Sequence, residues 1–263
     1  MHASQREKHI LELIARKGFL SFQELDGNIN ASAATLRRDL ERLASAGQIR
    51  RVRGGAERID STASTGASAS ALTGSPFHEN AARYEREKQA IGKSAASLCA
   101  PGEGVMIDGG STTLQMCPHL EELNLQVLTN SLHIVSALLP QAGTRILVPA
   151  GTVFREQNII LSATGEESMP RFHAPKLFMG AAAIGPRGLM QADVILVAAE
   201  RRLIERADEV IVLVDSSKFN GPSGAVVCEL SEINIVITDD GISDSQAAQI
   251  EAAGVKLIVV PTH

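Results

Sequence analysis

The sequence predicts an α/β protein of two domains: an N-terminal winged helix-turn-helix and a larger α/β domain with a mostly parallel sheet. Three observations predict it. An arginine-bearing helical stretch, Ser32–Leu43, is followed by a basic hairpin pattern; an uncharged run from Ser61 to Pro76 sets this head apart; and beyond Gly104 strand-like apolar runs alternate with helical ones. The expected division is the winged helix-turn-helix head over 1–60, a flexible linker over 61–76 and the α/β domain over 77–263.

In the head, Ile10, Leu11, Leu13 and Ile14 recur at helical spacing, giving a first helix that ends at Gly18. Ser21 and Glu24 have capping-box spacing for a short second helix stopped by Gly27 and Asn28. Ser32 then caps a third helix with Leu36, Leu40 and Leu43 on one stripe and Ala34, Arg38, Glu41 and Arg42 on the other side. Gln48–Ile59 alternates apolar and basic residues about Gly54-Gly55, the pattern of a tight hairpin, which after such a helix reads as a wing. An ordinary solvated helix and an edge hairpin guarded by arginines are the alternatives. If the head contacts duplex DNA, Ser32, Thr35, Arg37, Arg38 and Arg42 face it from the helix and Arg51 and Arg53 from the wing.

Charge supports this division. Residues 1–60 hold 11 Lys/Arg against 8 Asp/Glu, a net of +3, whereas 61–263 hold 14 against 22, a net of −8. A weakly basic head on an acidic body suits a module that meets phosphate carried by one that does not. Such a head grips weakly alone, so a homo-oligomer, dimer or tetramer, is expected. Composition excludes other classes. Cys99, Cys117 and Cys228 are too few and too scattered for a disulfide framework, the seven histidines form no ligand spacing, and neither a metal nor a cofactor is expected. Without an 18-residue apolar run or a signal-like N-terminus, the chain is expected to be soluble and cytoplasmic, with no membrane partner.

Phe77–Ala96 returns to a helical pattern, and strands are expected at 105–107, 126–128, 145–148, 176–179, 210–214, 233–237 and 256–260. Helices fit 112–120, 132–138, 195–206 and 244–253. Ligands of such sheets bind where strands end and helices begin. The residues there are Asp108-Gly109-Gly110-Ser111-Thr112-Thr113, Thr129-Asn130 and Asp215-Ser-Ser-Lys218, a set of glycines, hydroxyls and one lysine that suits a phosphorylated ligand. Each turn alone is also what a helix cap requires.

Residues 4–56 resemble the N-terminal domain of DeoR-family transcriptional repressors, through Thr35-Leu-Arg-Arg-Asp-Leu40 and Arg51-Val-Arg-Gly-Gly-Ala56. Asp26-Gly27 stands where that family usually has alanine after Glu-Leu. Residues 77–260 resemble the family's sensor domain, which is similar to the ribose-5-phosphate isomerase and coenzyme-A-transferase fold, through Asp108–Thr113, Thr129-Asn130, Phe178-Met-Gly180 with Gly188-Leu189, and Asp215–Phe219. The resemblance implies operator DNA and a phosphorylated sugar or polyol as partners, and brings Gly151 and Gly180 into the ligand site. Ala150-Gly151 replaces the usual Gly-Gly, and Glu200 stands where relatives carry lysine. Glu200 then either receives ligand hydroxyls or pairs with a surface base such as Arg155 or Arg201. The function implied is a repressor of a carbohydrate catabolic operon. The alternative is an isomerase-like enzyme, with Asp108, Glu200, Asp215 and Lys218 available for acid–base chemistry.

Overall fold

A computed structural model describes residues 6–7, 9–11, 13, 19–21, 25, 29, 31, 33–45, 49–52, 55–58, 77–161, 170–221 and 224–262. They fall into two compact units, Met1–Ala67 and Ser68–His263. Ser32, Arg53, residues 22–24, Asp26–Asn28 and the 61–76 segment lie outside the described residues, and of Arg37 and Arg51 only the backbone is described.

In the first unit the described residues from Arg6 to Leu13 are helical, as is Leu25. Helix α1 (Ala33–Ser45) follows, then strands β2 (Ile49–Val52) and β3 (Gly55–Arg58), antiparallel with Val52 opposite Gly55. The expected hairpin is therefore present. It gains a third strand that periodicity did not suggest, β1 (Phe19–Ser21), paired with β3 so that Ser21 lies opposite Gly55. Ser21 thus ends a strand. Ile10, Leu25, Ile29, Leu36, Leu40, Leu43, Ile49 and Ala56 form the core of this unit, which places the predicted leucine stripe of α1 inward.

The second unit opens with α2 (Phe77–Ala82) and α3 (Glu85–Ala96). One continuous helix was expected here; the break falls at Tyr84, whose φ of 54° is left-handed and ends a right-handed helix. Seven strands then build one parallel sheet: β4 (Gly104–Ile107), β5 (Gln126–Leu128), β6 (Arg145–Leu147), β9 (Ala174–Met179), β12 (Ala207–Leu213), β14 (Ile235–Asp239) and β15 (Lys256–Val260). Their order is β15-β14-β12-β9-β4-β5-β6, and every pairing is parallel.

Alternation along the central strands feeds two cores. Val105 and Ile107, Phe178, Ile211 and Leu213 face Ile91 and Ala95 of α3, the 3-10 segment Thr113–His119 and α4 (Leu132–Leu138). Met106, Leu177, Met179, Val212 and Val214 face Leu203 and Ile204 of α5 (Val194–Ile204), Ile250 of α6 (Asp244–Ala252) and a small antiparallel sheet. That sheet, β10 (Ala183–Gly185), β11 (Gly188–Gln191) and β13 (Ala225–Cys228), was not expected, nor was the hairpin β7 (Thr152–Phe154) and β8 (Ile159–Leu161). Where a helix was expected over 112–120, Thr113–His119 form the tighter 3-10 type, with Pro118 inside. All three cysteines are buried and free, and burial raises each thiol to about 12, so they behave as small core residues.

Candidate functional site

Strands β4, β5 and β6 are laid down in one direction, and the chain then returns to place β9 on the far side of β4. The order reverses between β4 and β9, and the turns that leave these two strands stand at this switch point, where open sheets of this kind bind ligands in a crevice. The Asp108 N–H still donates to the Phe178 carbonyl at 2.9 Å, but the Gly110 turn and Gly180 then face each other: a Cβ on Gly110 would lie 3.9 Å from the Gly180 Cα.

The Asp108 turn is organised by its neighbour strand. Asn130 Nδ2 donates to Asp108 Oδ1 at 2.9 Å, and Asn130 Oδ1 accepts from the Gly109 N–H at 3.1 Å, so one amide side chain fixes both carboxylate and backbone. Hydroxyls expected to face a ligand are partly consumed here. Thr113 Oγ1 donates to the Asp108 carbonyl at 2.8 Å, and Thr129 Oγ1 accepts from the Ser131 N–H at 3.1 Å. Both threonines are buried and hold the turns together; Thr112 is buried as well, and Ser111 is half-buried. Gly109 admits a lid: a Cβ there would come within 2.6 Å of Ile159 Cγ2, from β8 of the hairpin that follows the exposed Gly151. The hairpin is tied to the Asn130 turn by the Ile160 N–H, which donates to the Asn130 carbonyl at 2.7 Å.

Two further carboxylates enter from the other side. Glu200, on α5, is 4% exposed; its Oε1 accepts from Gln191 Nε2 at 2.6 Å, while Oε2 has no hydrogen-bond partner among the described residues. The surface-pair reading of Glu200 is therefore corrected. Leu196, Leu203 and Ile204 flank it on the inward face of α5, and Arg201 points away to Glu232 at 2.6 Å. Asp215, just past β12, is fully buried; Oδ1 accepts from the Ser217 N–H at 3.2 Å and Oδ2 has no partner among the described residues. Lys218 is half-buried in the following 3-10 turn, Ser216–Asn220.

Lys88, which the expected ligand site did not include, lies beside Asp215. Lys88 on α3 is 1% exposed, donates to the Asn80 carbonyl, and is drawn by Asp215 and repelled by Lys218. Burial lowers its ammonium to about 8.

Burial raises Asp108 to about 6, against the lowering effect of its bonds from Asn130 and Gly109, and it raises Glu200 well above the ordinary carboxylate range, with Asp108 adding repulsion. The folded chain keeps the Asp108 proton to higher pH than the unfolded chain, so stability of this unit falls as pH rises from about 4 to about 6, and Glu200 extends the loss upward. Asp108→Asn, which preserves an acceptor for Asn130, is expected to flatten that decline. Melting curves across pH 4–8, read against the wild type, check it; equal slopes would exclude Asp108 as the source.

In the first unit, Arg38 is exposed on α1 and Thr35 half-exposed, on the side opposite Leu36 and Leu40. Arg42 bonds to Asp39 and lies 3.1 Å from Glu7, with 58% of its side chain exposed. Asp39 is fully buried between Arg6 and Arg42; burial alone would raise its carboxyl, but the hydrogen bonds from both arginines outweigh that and hold it below its ordinary value. Among the described residues no three His, Cys, Asp or Glu side chains are placed to hold a metal ion, and no helix is long and apolar enough to cross a membrane.

Comparison with known proteins adds three findings. The family model for the DeoR C terminal sensor domain matches residues 83–240, and that for the DeoR-like helix-turn-helix domain matches 6–62. The chain is 28% identical over 260 residues to the HTH-type transcriptional regulator UlaR of Shigella dysenteriae and to that of Escherichia coli, covering 99% of this chain and 100% of each relative. Ribose 5-phosphate isomerase A of Methanocaldococcus jannaschii is similar over 50% of this chain and 52% of its own, with 18% identity and a TM-score of 0.37, too loose a likeness to carry an argument.

Proposed function

The chain belongs to the DeoR family of transcriptional regulators, and from that premise we propose that it represses a carbohydrate catabolic operon and is relieved or modulated by a phosphorylated sugar or polyol. What supports the ligand half is that the strand ends around the β4–β9 switch point carry buried carboxylate oxygens without partners among the described residues, on Glu200 and Asp215, with Lys88 and Lys218 close to Asp215. Buried oxygens of that kind call for donors, which a polyol supplies in number. A phosphate takes Lys218, Ser111 and the backbone of Gly110 and Gly180, while hydroxyls meet Glu200, Asp215 and Asp108; Gly109, its N–H held by Asn130, shapes the turn. Thr112, Thr113, Thr129 and Asn130 support these turns from behind, and Gly151 starts the hairpin that covers them.

The DNA half rests on α1. Thr35, Arg37 and Arg38 supply base-edge and phosphate contacts, Arg42 a contact made while it stays paired with Asp39, Ser32 the helix cap, and Arg51 and Arg53 the wing contacts. Two or more heads joined through the sensor domains give the affinity that one head lacks. The protein acts in the cytoplasm and turns nothing over, so the crevice carboxylates serve recognition.

Gel-shift titration of the full chain on its own upstream DNA tests this, with a shuffled duplex as control and a panel of pentose, hexose and polyol phosphates as ligands. Selective binding weakened by a panel member is expected. Equal affinity for both duplexes, or indifference to the whole panel, overturns the reading, and product formed from any panel member would replace it with an isomerase. Arg38→Ala is expected to weaken operator binding by about 1 to 3 kcal/mol per site without lowering the melting temperature of the head, since the side chain is exposed. Unaltered affinity would remove Arg38 from the contacts.

A further inference from the structure

Lys88 is an unusual buried group. Lysines seldom lose solvent completely unless the ammonium has an ionic partner, yet this one donates to a neutral main-chain oxygen, Asn80, with Asp215 near enough to attract it and Lys218 near enough to repel it. Asp215 spends one oxygen on Ser217. Asp215 and Glu87 attract the Lys88 ammonium while Lys218 and Arg83 repel it, so an anion arriving on this side adds an attraction that the resting arrangement balances out.

The oxygen that Lys88 holds belongs to α2, which follows directly on the 61–76 segment joining the two units. A helix of six residues does not persist by itself, so its order depends on what it is fastened to. Among the described residues two fastenings stand out, one to Lys88 beside Asp215 and one to His133 next to the Asn130 turn. One is the Lys88 bond to Asn80. The other is the Phe77 ring, stacked on His133 with centroids 4.0 Å apart; His133 lies three residues past Asn130 and its Nε2 is 3.0 Å from Asn158 Nδ2, next to the Ile159 that covers Gly109.

We propose that Lys88 transmits occupancy of the crevice to α2: an anionic group arriving beside Lys218 takes the Lys88 ammonium from the Asn80 carbonyl and so unfastens the helix that follows the interdomain segment. A charge-assisted bond to phosphate is stronger than one to a neutral carbonyl, so the exchange favours the occupied state. Because the ligand interacts differently with the fastened and released arrangements, it shifts the balance between them. The inference rests on the reading of the crevice as a site for phosphorylated ligands.

The test is hydrogen exchange of the full chain, following the amides of residues 80–83, with inorganic phosphate and with each phosphorylated panel compound, against chloride at equal ionic strength. Any compound that raises the melting temperature of the sensor unit is expected to speed exchange at these amides about tenfold, within the range of ordinary allosteric coupling. Lys88→Met, which keeps an unbranched apolar stem, should exchange fast without ligand and not respond further. Lys88→Arg should restore the response, and this keeps the test informative if the methionine variant does not fold. Stabilisation with the amides unmoved in the wild type overturns the role of Lys88 and leaves the crevice reading intact. If no compound stabilises the protein, the crevice reading falls and this inference falls with it.

Discussion

Asp39→Ala is expected to unfold the N-terminal unit near physiological temperature, with operator binding lost and the melting of the sensor unit unchanged. Asp39 is fully buried and ties Arg6, in the first helical segment, to α1, while Arg42 bonds to it from the next turn. Removing the Asp39 carboxylate takes away the fully buried acceptor that Arg6 and Arg42 both bond to, a loss on the order of 1 to 3 kcal/mol for hydrogen bonds to a charged group. A domain of about 60 residues has roughly 3 to 9 kcal/mol in total. The change therefore removes a large part of the head's stability.

The same pair sets an acid limit. With its carboxyl held below the ordinary value, Asp39 contributes stability above the unfolded-state pKa and loses it as pH falls through the folded one. Calorimetry should show the transition of the N-terminal unit moving down in acid in the wild type, and that of Asp39→Ala already low and less responsive. A shift below about 1 kcal/mol would mean that the pair is no more than a surface contact.

The fate of Asp39 shows what sequence could and could not say. On a helical wheel it falls beside Leu43 on the inward stripe, so its burial was legible from spacing even though its partner, 33 residues away, was not. Glu200 is similar: Leu196, Leu203 and Ile204 surround it at i−4, i+3 and i+4, which marks an inward position. The seven core strands were readable because strands covered on both faces are continuous apolar runs. By contrast, β7, β8 and β10 lie outside that sheet and take their meaning from antiparallel pairing across the chain, which no local period records. The burial of Lys88 was hidden for the same reason. The lysine stands in Glu85-Arg86-Glu87-Lys88, where four charges in a row look solvated, and only the packing of α3 beneath the end of β12 puts it beside Asp215.

Lys218→Ala is expected to abolish most of the thermal stabilisation that a phosphorylated ligand gives the sensor unit. The lysine sits on the 3-10 turn that Asp215 caps, half-buried, where its charge is screened less than on an open surface. A hydrogen bond to a charged group contributes about 1.5 to 3 kcal/mol, equivalent to roughly 10- to 100-fold in dissociation constant. A ligand present at a hundred times its dissociation constant stabilises the wild type by about 2.7 kcal/mol; a hundredfold weaker site under the same conditions retains only about 0.4. The substitution should leave the ligand-free melting temperature nearly unchanged, because it removes a like charge from beside Lys88 and no buried hydrogen bond. Glu200→Gln distinguishes the two halves of the ligand: it replaces the partnerless carboxylate oxygen with an amide and is expected to weaken binding of the polyol phosphate while leaving inorganic phosphate unaffected. Full stabilisation retained in Lys218→Ala would move the phosphate away from this turn and leave the strand-end hydroxyls of the Asp108 segment to hold it.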